Sequence, residues 1–132
     1  MHKKFITTGA LLGAIAVVLG AFGAHGLKKI VPTETVQTFQ TGVQYQMYHA
    51  LALLLTGVLY EKCYQKFARI AGVLFIIGII FFSGSLYLLT AGRAAETASL
   101  DKAGIITPFG GVAFIAGWLF LFIAAMRKSE RS

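Results

Sequence analysis

Four stretches of this chain contain no charged residue: Phe5 to Leu27, Thr35 to Tyr60, Ile70 to Gly92 and Ala103 to Met126. A helix rises about 1.5 Å per residue, so crossing a hydrocarbon layer of about 30 Å takes roughly 20 apolar residues. Each stretch has that length. In lipid every backbone amide must find its partner within the protein, and barrel strands would appear as short alternating segments rather than unbroken apolar runs. The pattern therefore predicts an all-α integral membrane protein: one membrane domain over residues 1–132, with helices at roughly 5–25, 33–61, 68–91 and 104–126. Composition agrees, because 57% of residues are hydrophobic and 13% charged, against about a quarter charged in soluble domains.

The net charge of +7 could suggest a nucleic-acid partner, but the basic residues occupy the ends of the apolar stretches rather than one soluble face. Eight of them (Lys3, Lys4, Lys62, Lys66, Arg69, Arg127, Lys128 and Arg131) fall on the side that holds both termini, and four (Lys28, Lys29, Arg93 and Lys102) fall on the other. The positive-inside rule places the richer side in the cytoplasm, so both termini are expected there and no nucleic-acid partner is. Cys63 then lies in a reducing compartment and reads as an idle thiol. His2, Lys3 and Lys4 before an apolar run imitate a signal peptide. Retention of this segment is expected, because its glycine pattern matches that of the later helices.

That pattern recurs along the chain. Gly9, Gly13, Ala16, Gly20 and Gly23 share one stripe of the first helix; Ala71, Gly78, Ser85 and Gly92 recur on the third, and Gly110, Ala113 and Gly117 on the fourth. Small residues let helices approach closely, which matters where lipid offers no hydrophobic drive for association. A four-transmembrane-helix bundle with small-residue packing seams follows, with a homodimer contact as the other use of such stripes.

The second helix differs from the rest. Pro32 and Thr33 make a start signal, and Glu34 suits the positive end of the helix dipole. Val36, Phe39, Val43, Met47, Ala50 and Leu54 form an apolar face, Gln37, Thr41, Gln44 and Tyr48 the opposite side, and Thr38, Tyr45 and His49 flank them.

Four motifs carry a resemblance: Gly20-Ala-Phe-Gly-Ala-His-Gly26, Thr41-Gly-Val-Gln-Tyr-Gln-Met-Tyr-His49, Phe82-Ser-Gly-Ser-Leu-Tyr87, and Thr107-Pro-Phe-Gly-Gly111 followed by Gly117-Trp118. Together they span nearly the whole chain, which resembles the YgdD-like family of small bacterial inner-membrane proteins, a family of unknown function with mitochondrial relatives. The resemblance implies a four-helix membrane fold in a bacterial plasma membrane, with no established activity and no catalytic residues to assign.

The inferred topology puts the polar residues of all four motifs toward the outer side of the bundle, where they are expected to face its interior or a water-filled cavity. His25, Gln44, Tyr45, Tyr48, His49, Ser83, Ser85, Tyr87 and Thr107 are the candidate binding residues. Two readings stay open: a hydrogen-bonded network that sets helix register, with His49 satisfied by a neighbouring Ser or Tyr, or a pocket for a lipid headgroup or small polar ligand. Bound metal or haem is not expected, since His25 and His49 are the only intramembrane ligand candidates and the spans lack carboxylates. The same lack argues against an enzyme, with Ser83 or Ser85 beside His49 the one conceivable nucleophile pair. Trp118 and Phe75, Phe81, Phe114 and Phe120 read as packing or lipid contact. The expected role is structural or accessory, with membrane lipids, a second copy or another membrane protein as partner; an oligomeric pore or small-solute transporter is the alternative.

Overall fold

A computed structural model describes residues 1–127; Lys128 and Arg131, two of the charges behind the predicted orientation, lie outside the described residues. Among those described the chain forms four helices: α1 (Lys3–Ala24), α2 (Thr33–Leu59), a third that runs through α3 (Gln65–Gly78), a π-helical segment (Ile79–Ser83) and α4 (Gly84–Ala94), and α5 (Thr107–Met126). Short 3₁₀ turns at Leu27–Lys29, Tyr60–Lys62 and Asp101–Ile105 make the connections. The start signal of the second helix acts where expected. Pro32, extended, precedes α2, and Pro108 occupies the first turn of α5. His2 caps α1 by accepting the Phe5 amide on Nδ1 at 3.2 Å.

Three helical stretches, Lys3–Lys29, Gln65–Ala94 and Asp101–Met126, are long and apolar enough to cross a membrane. The helix that falls short in apolarity, α2, is the one most enclosed by protein, packing on α1, α3, the π segment and α4. α5 lies against α3 and the π segment. The ends pair in an antiparallel sense. The His2 amide donates to the Gly57 carbonyl at the end of α2, and the Tyr64 amide ahead of α3 donates to the Ala124 carbonyl near the end of α5.

Glycines set how closely these helices meet. A Cβ on Gly9 would stand 2.8 Å from the Ala50 carbonyl oxygen, and one on Gly57 would stand 3.0 Å from the His2 carbonyl oxygen, so α1 and α2 touch backbone to backbone at that end. Between α3 and α5 the contact is reciprocal: the Phe114 ring fills the space a side chain would need at Gly78, and the Phe75 ring does the same at Gly117. The small-residue stripes thus face neighbouring helices within one chain.

Candidate functional site

The buried face of α2 has a heptad rhythm, with Val36, Phe39, Val43, Gln46, Ala50, Leu53 and Gly57 all buried at alternating steps of three and four. This corrects the face predicted from sequence, in which Met47 and Leu54 stood where Gln46 and Leu53 do; both are only half-buried. Gln46 is the one polar residue in that rhythm. Its Nε2 donates to the Leu12 carbonyl at 2.8 Å, and its Oε1 accepts the Tyr87 hydroxyl at 2.6 Å. One amide therefore ties α1, α2 and α4 together. Sequence reasoning passed over Gln46, although a lone polar residue at a seam position was the available signal.

The polar residues from the end of the π segment into α4 divide by helical periodicity. Residues four apart share a face, while residues two apart point to opposite sides. Ser83 and Tyr87 accordingly turn to α2, where the Ser83 hydroxyl donates to the Gly42 carbonyl at 2.6 Å. Ser85 turns to α5, sharing a hydrogen bond with Thr107 and donating to the Phe82 carbonyl. Ser83 ends the π segment, and it is there that α5 comes closest: a Cβ on Gly110 would run into the backbone of Phe81 and Phe82, 2.8 Å from the Phe81 carbonyl carbon.

His49 is buried in an aromatic surround. Its ring stacks on Phe114 with centroids 3.5 Å apart, with Phe75 at 5.7 Å and Tyr45 at 6.1 Å. Nδ1 lies 2.7 Å from the Tyr45 carbonyl, and Nε2 lies 3.0 Å from the Trp118 indole nitrogen. A carbonyl only accepts and an indole N–H only donates, so these partners select the tautomer with its proton on Nδ1. The expected satisfaction of His49 by a serine or tyrosine side chain is thereby corrected: the partners are a backbone carbonyl one turn back and an indole on α5. Trp118, read as a packing or lipid-facing ring, is half-exposed and also carries this bond. Neither Ser83 nor Ser85 is hydrogen-bonded to His49, so the conceivable Ser–His pair is not formed.

The remaining predicted residues lie at or near the bundle surface. His25 is exposed at the end of α1, its Nδ1 on the Ala21 carbonyl at 2.9 Å. Gln44 and Tyr48 are on the outer surface of α2, and Tyr45, packed on Phe82, is partly exposed there. The expectation that these polar groups face inward is corrected. Among the described residues every buried side-chain nitrogen and oxygen has a partner, and no group of three His, Cys, Asp or Glu gathers as a metal site. Beyond the helices' apolar cores, burial holds the His2 imidazole below its usual range and pushes the Cys63 thiol up.

The sequence of residues 19–111 matches the family model described as a protein of unknown function (DUF423). Over 126 residues the chain is 44% identical to the UPF0382 membrane protein YwdK of Bacillus subtilis, covering 95% of this chain and 98% of that one. It is 40% identical to a UPF0382 membrane protein of Haemophilus influenzae, with 98% and 99% covered. To the UPF0382 inner membrane protein YgdD of Escherichia coli it is 37% identical, with 99% and 96% covered. No solved structure matches the chain.

Proposed function

Because the chain belongs to the DUF423 family, whose UPF0382 relatives are membrane proteins, we propose that it is a four-pass protein of the bacterial plasma membrane, with both termini cytoplasmic and a structural or accessory rather than enzymatic role. The fourth pass is α2. α1 and α2 start from opposite ends of the bundle, and the Phe5 ring near the start of α1 fills the space at Gly72 near the start of α3. A chain that crosses in α1 therefore has to return through α2 before α3 begins. Of the polar side chains that lower the apolarity of α2, Gln46, His49 and Thr56 are buried against protein, while Gln37, Gln44 and Tyr48 are exposed. The basic residues, eight against four, set the orientation.

The observation that carries the accessory role is the closure of the interior polar groups on one another. A solute path or a reaction centre needs polar atoms free to engage its ligand. Here Gln46, Tyr87, Ser83, Ser85, Thr107, His49 and Trp118 bond to each other or to backbone carbonyls. The bundle then offers partners its surface, to membrane lipids, another membrane protein or a second copy.

Two measurements test this together. Single cysteines placed at the N-terminus and near Gln65 are expected to be shielded from an impermeant external reagent, and those near Lys29 and Ala98 to react; labelling at Gln65 from outside would overturn the orientation. His49→Ala is expected to lower detergent stability by about 1 kcal/mol, within the range measured for intramembrane hydrogen bonds, with His49→Gln recovering most of it. A His49→Ala protein as stable as the parent, together with His49-dependent solute or proton flux in reconstituted vesicles, would replace the accessory role with transport.

A further inference from the structure

At the end of the bundle away from His2, the first turns of α2 and the last turns of α4 diverge around a cavity of about 160 Å³. Glu34, Thr35, Thr38, Leu89, Thr90 and Arg93 line it. A water molecule takes up about 30 Å³ of liquid, so this is room for a group of several heavy atoms. The cavity brings one carboxylate and one guanidinium to the same opening, and the two are not joined. Among the described residues neither the Glu34 nor the Arg93 side chain has an ion pair or a hydrogen bond.

The hydroxyls between them are already oriented. Thr38 Oγ1 donates to the Glu34 carbonyl at 3.2 Å, and Thr90 Oγ1 donates to the Leu86 carbonyl at 2.9 Å. A hydroxyl whose proton is committed offers only lone pairs to a guest. Glu34, Thr38 and Thr90 therefore present acceptors, while Arg93 presents up to five donors suited to a phosphate. We propose that this cavity seats a zwitterionic headgroup of the phosphoethanolamine type, its primary ammonium on Glu34, Thr38 and Thr90 and its phosphate on Arg93.

The acceptor set discriminates among headgroups. A primary ammonium brings three N–H donors to three acceptor groups, whereas a trimethylammonium brings none and a glycerol headgroup brings no cation for Glu34. A lipid is favoured over a free zwitterion because Leu89 gives the cavity an apolar wall and exposed apolar residues such as Leu88 and Ile106 lie near this end of the bundle. On the loop side of Arg93 is a second, shallow hollow of about 250 Å³, lined by Glu96 and Asp101. Arg93 lines this hollow too, and among the described residues neither carboxylate forms an ion pair with it. The site rests on the membrane-spanning reading only in needing this end of the bundle to lie at a membrane surface. It is indifferent to which surface, so the labelling test and the lipid test fail independently.

The test uses the full chain, delipidated in detergent and offered phosphatidylethanolamine, phosphatidylcholine and phosphatidylglycerol with identical acyl chains, with bound lipid read by native mass spectrometry. Phosphatidylethanolamine is expected to be retained roughly threefold to fivefold over the others, the discrimination that one exposed charge contact supplies. Glu34→Gln should remove the preference over phosphatidylcholine, Arg93→Ala should weaken retention of all three, and Arg93→Lys should keep most of it; helicity by circular dichroism monitors folding of each variant. Equal retention of the three lipids by the parent, or an unchanged preference in a folded Glu34→Gln protein, would overturn the site. Displacement of the lipid by soluble glycerophosphoethanolamine at matched concentration would overturn the lipid assignment in favour of a free zwitterion.

Discussion

The seam between α1 and α2 and the seam between α3 and α5 look alike in sequence, each a run of small residues three or four apart, yet they close by different means. Along α1 and α2 the backbones meet at Gly9 and Gly57, and farther along the side-chain amides of Gln40 and Gln46 reach the carbonyls of Gly20 and Leu12. Between these points the fit is looser: a Cβ on Gly13 would meet only the Met47 sulfur, at 3.9 Å. Between α3 and α5 phenylalanine rings fill the notches at Gly78 and Gly117, and at Gly110 the α5 backbone lies against the π segment. A small-residue stripe identifies which face of a helix will be approached. It does not distinguish a glycine that is indispensable from one with space beside it.

Three substitutions sharpen that contrast. The largest effect is expected for Gly110→Ala, because its new methyl would overlap the main chain of Phe81 and Phe82, which has no rotamer to give. A loss of about 3 kcal/mol, at the upper end for overpacking, is expected in thermal unfolding in detergent; a variant as stable as the parent would mean that α5 does not come this close. Tyr87→Phe tests the polar side of the contrast. It deprives Gln46 Oε1 of its donor and should cost about 0.6 kcal/mol, the mean for intramembrane hydrogen bonds. A cost near zero would mean that the amide contributes nothing to the α1–α2–α4 junction. The smallest effect is expected for Gly13→Ala, which should leave stability unchanged or raise it by up to about 1 kcal/mol through lower backbone entropy in the unfolded chain. A large loss there would make the α1 stripe as tight as that of α5 and erase the difference between the seams.

The candidate residues divide in the same way. His49, Ser83, Ser85, Tyr87 and Thr107 were legible as interior polar groups because each lies within an uncharged stretch long enough to cross a membrane, and all five hydrogen-bond within the bundle. His25, Gln44, Tyr45 and Tyr48 carry the same chemical signature but lie on the surface, in whole or in part. Gln46 was passed over because a neighbouring methionine offered a plausible apolar face, and the hydrogen bond of Trp118 was missed because an indole among phenylalanines reads as packing. Glu34 and Arg93 sit at helix ends 59 positions apart in the numbering, and no local pattern marks them as sharing a cavity.

From the sequence alone, the spacing of charges determined the four helices and their approximate ends, because an uncompensated charge in hydrocarbon is costly wherever the rest of the chain lies. The periodicity of small residues determined which faces would meet. Only the tertiary structure decided how the seams close, which tautomer His49 adopts, where the third helix widens into a π segment, and which polar groups bond to each other. Charge burial is a cost each segment meets on its own, whereas a hydrogen bond or a ring seated on a glycine requires two segments in one register. That register is set by the packing of all the helices together.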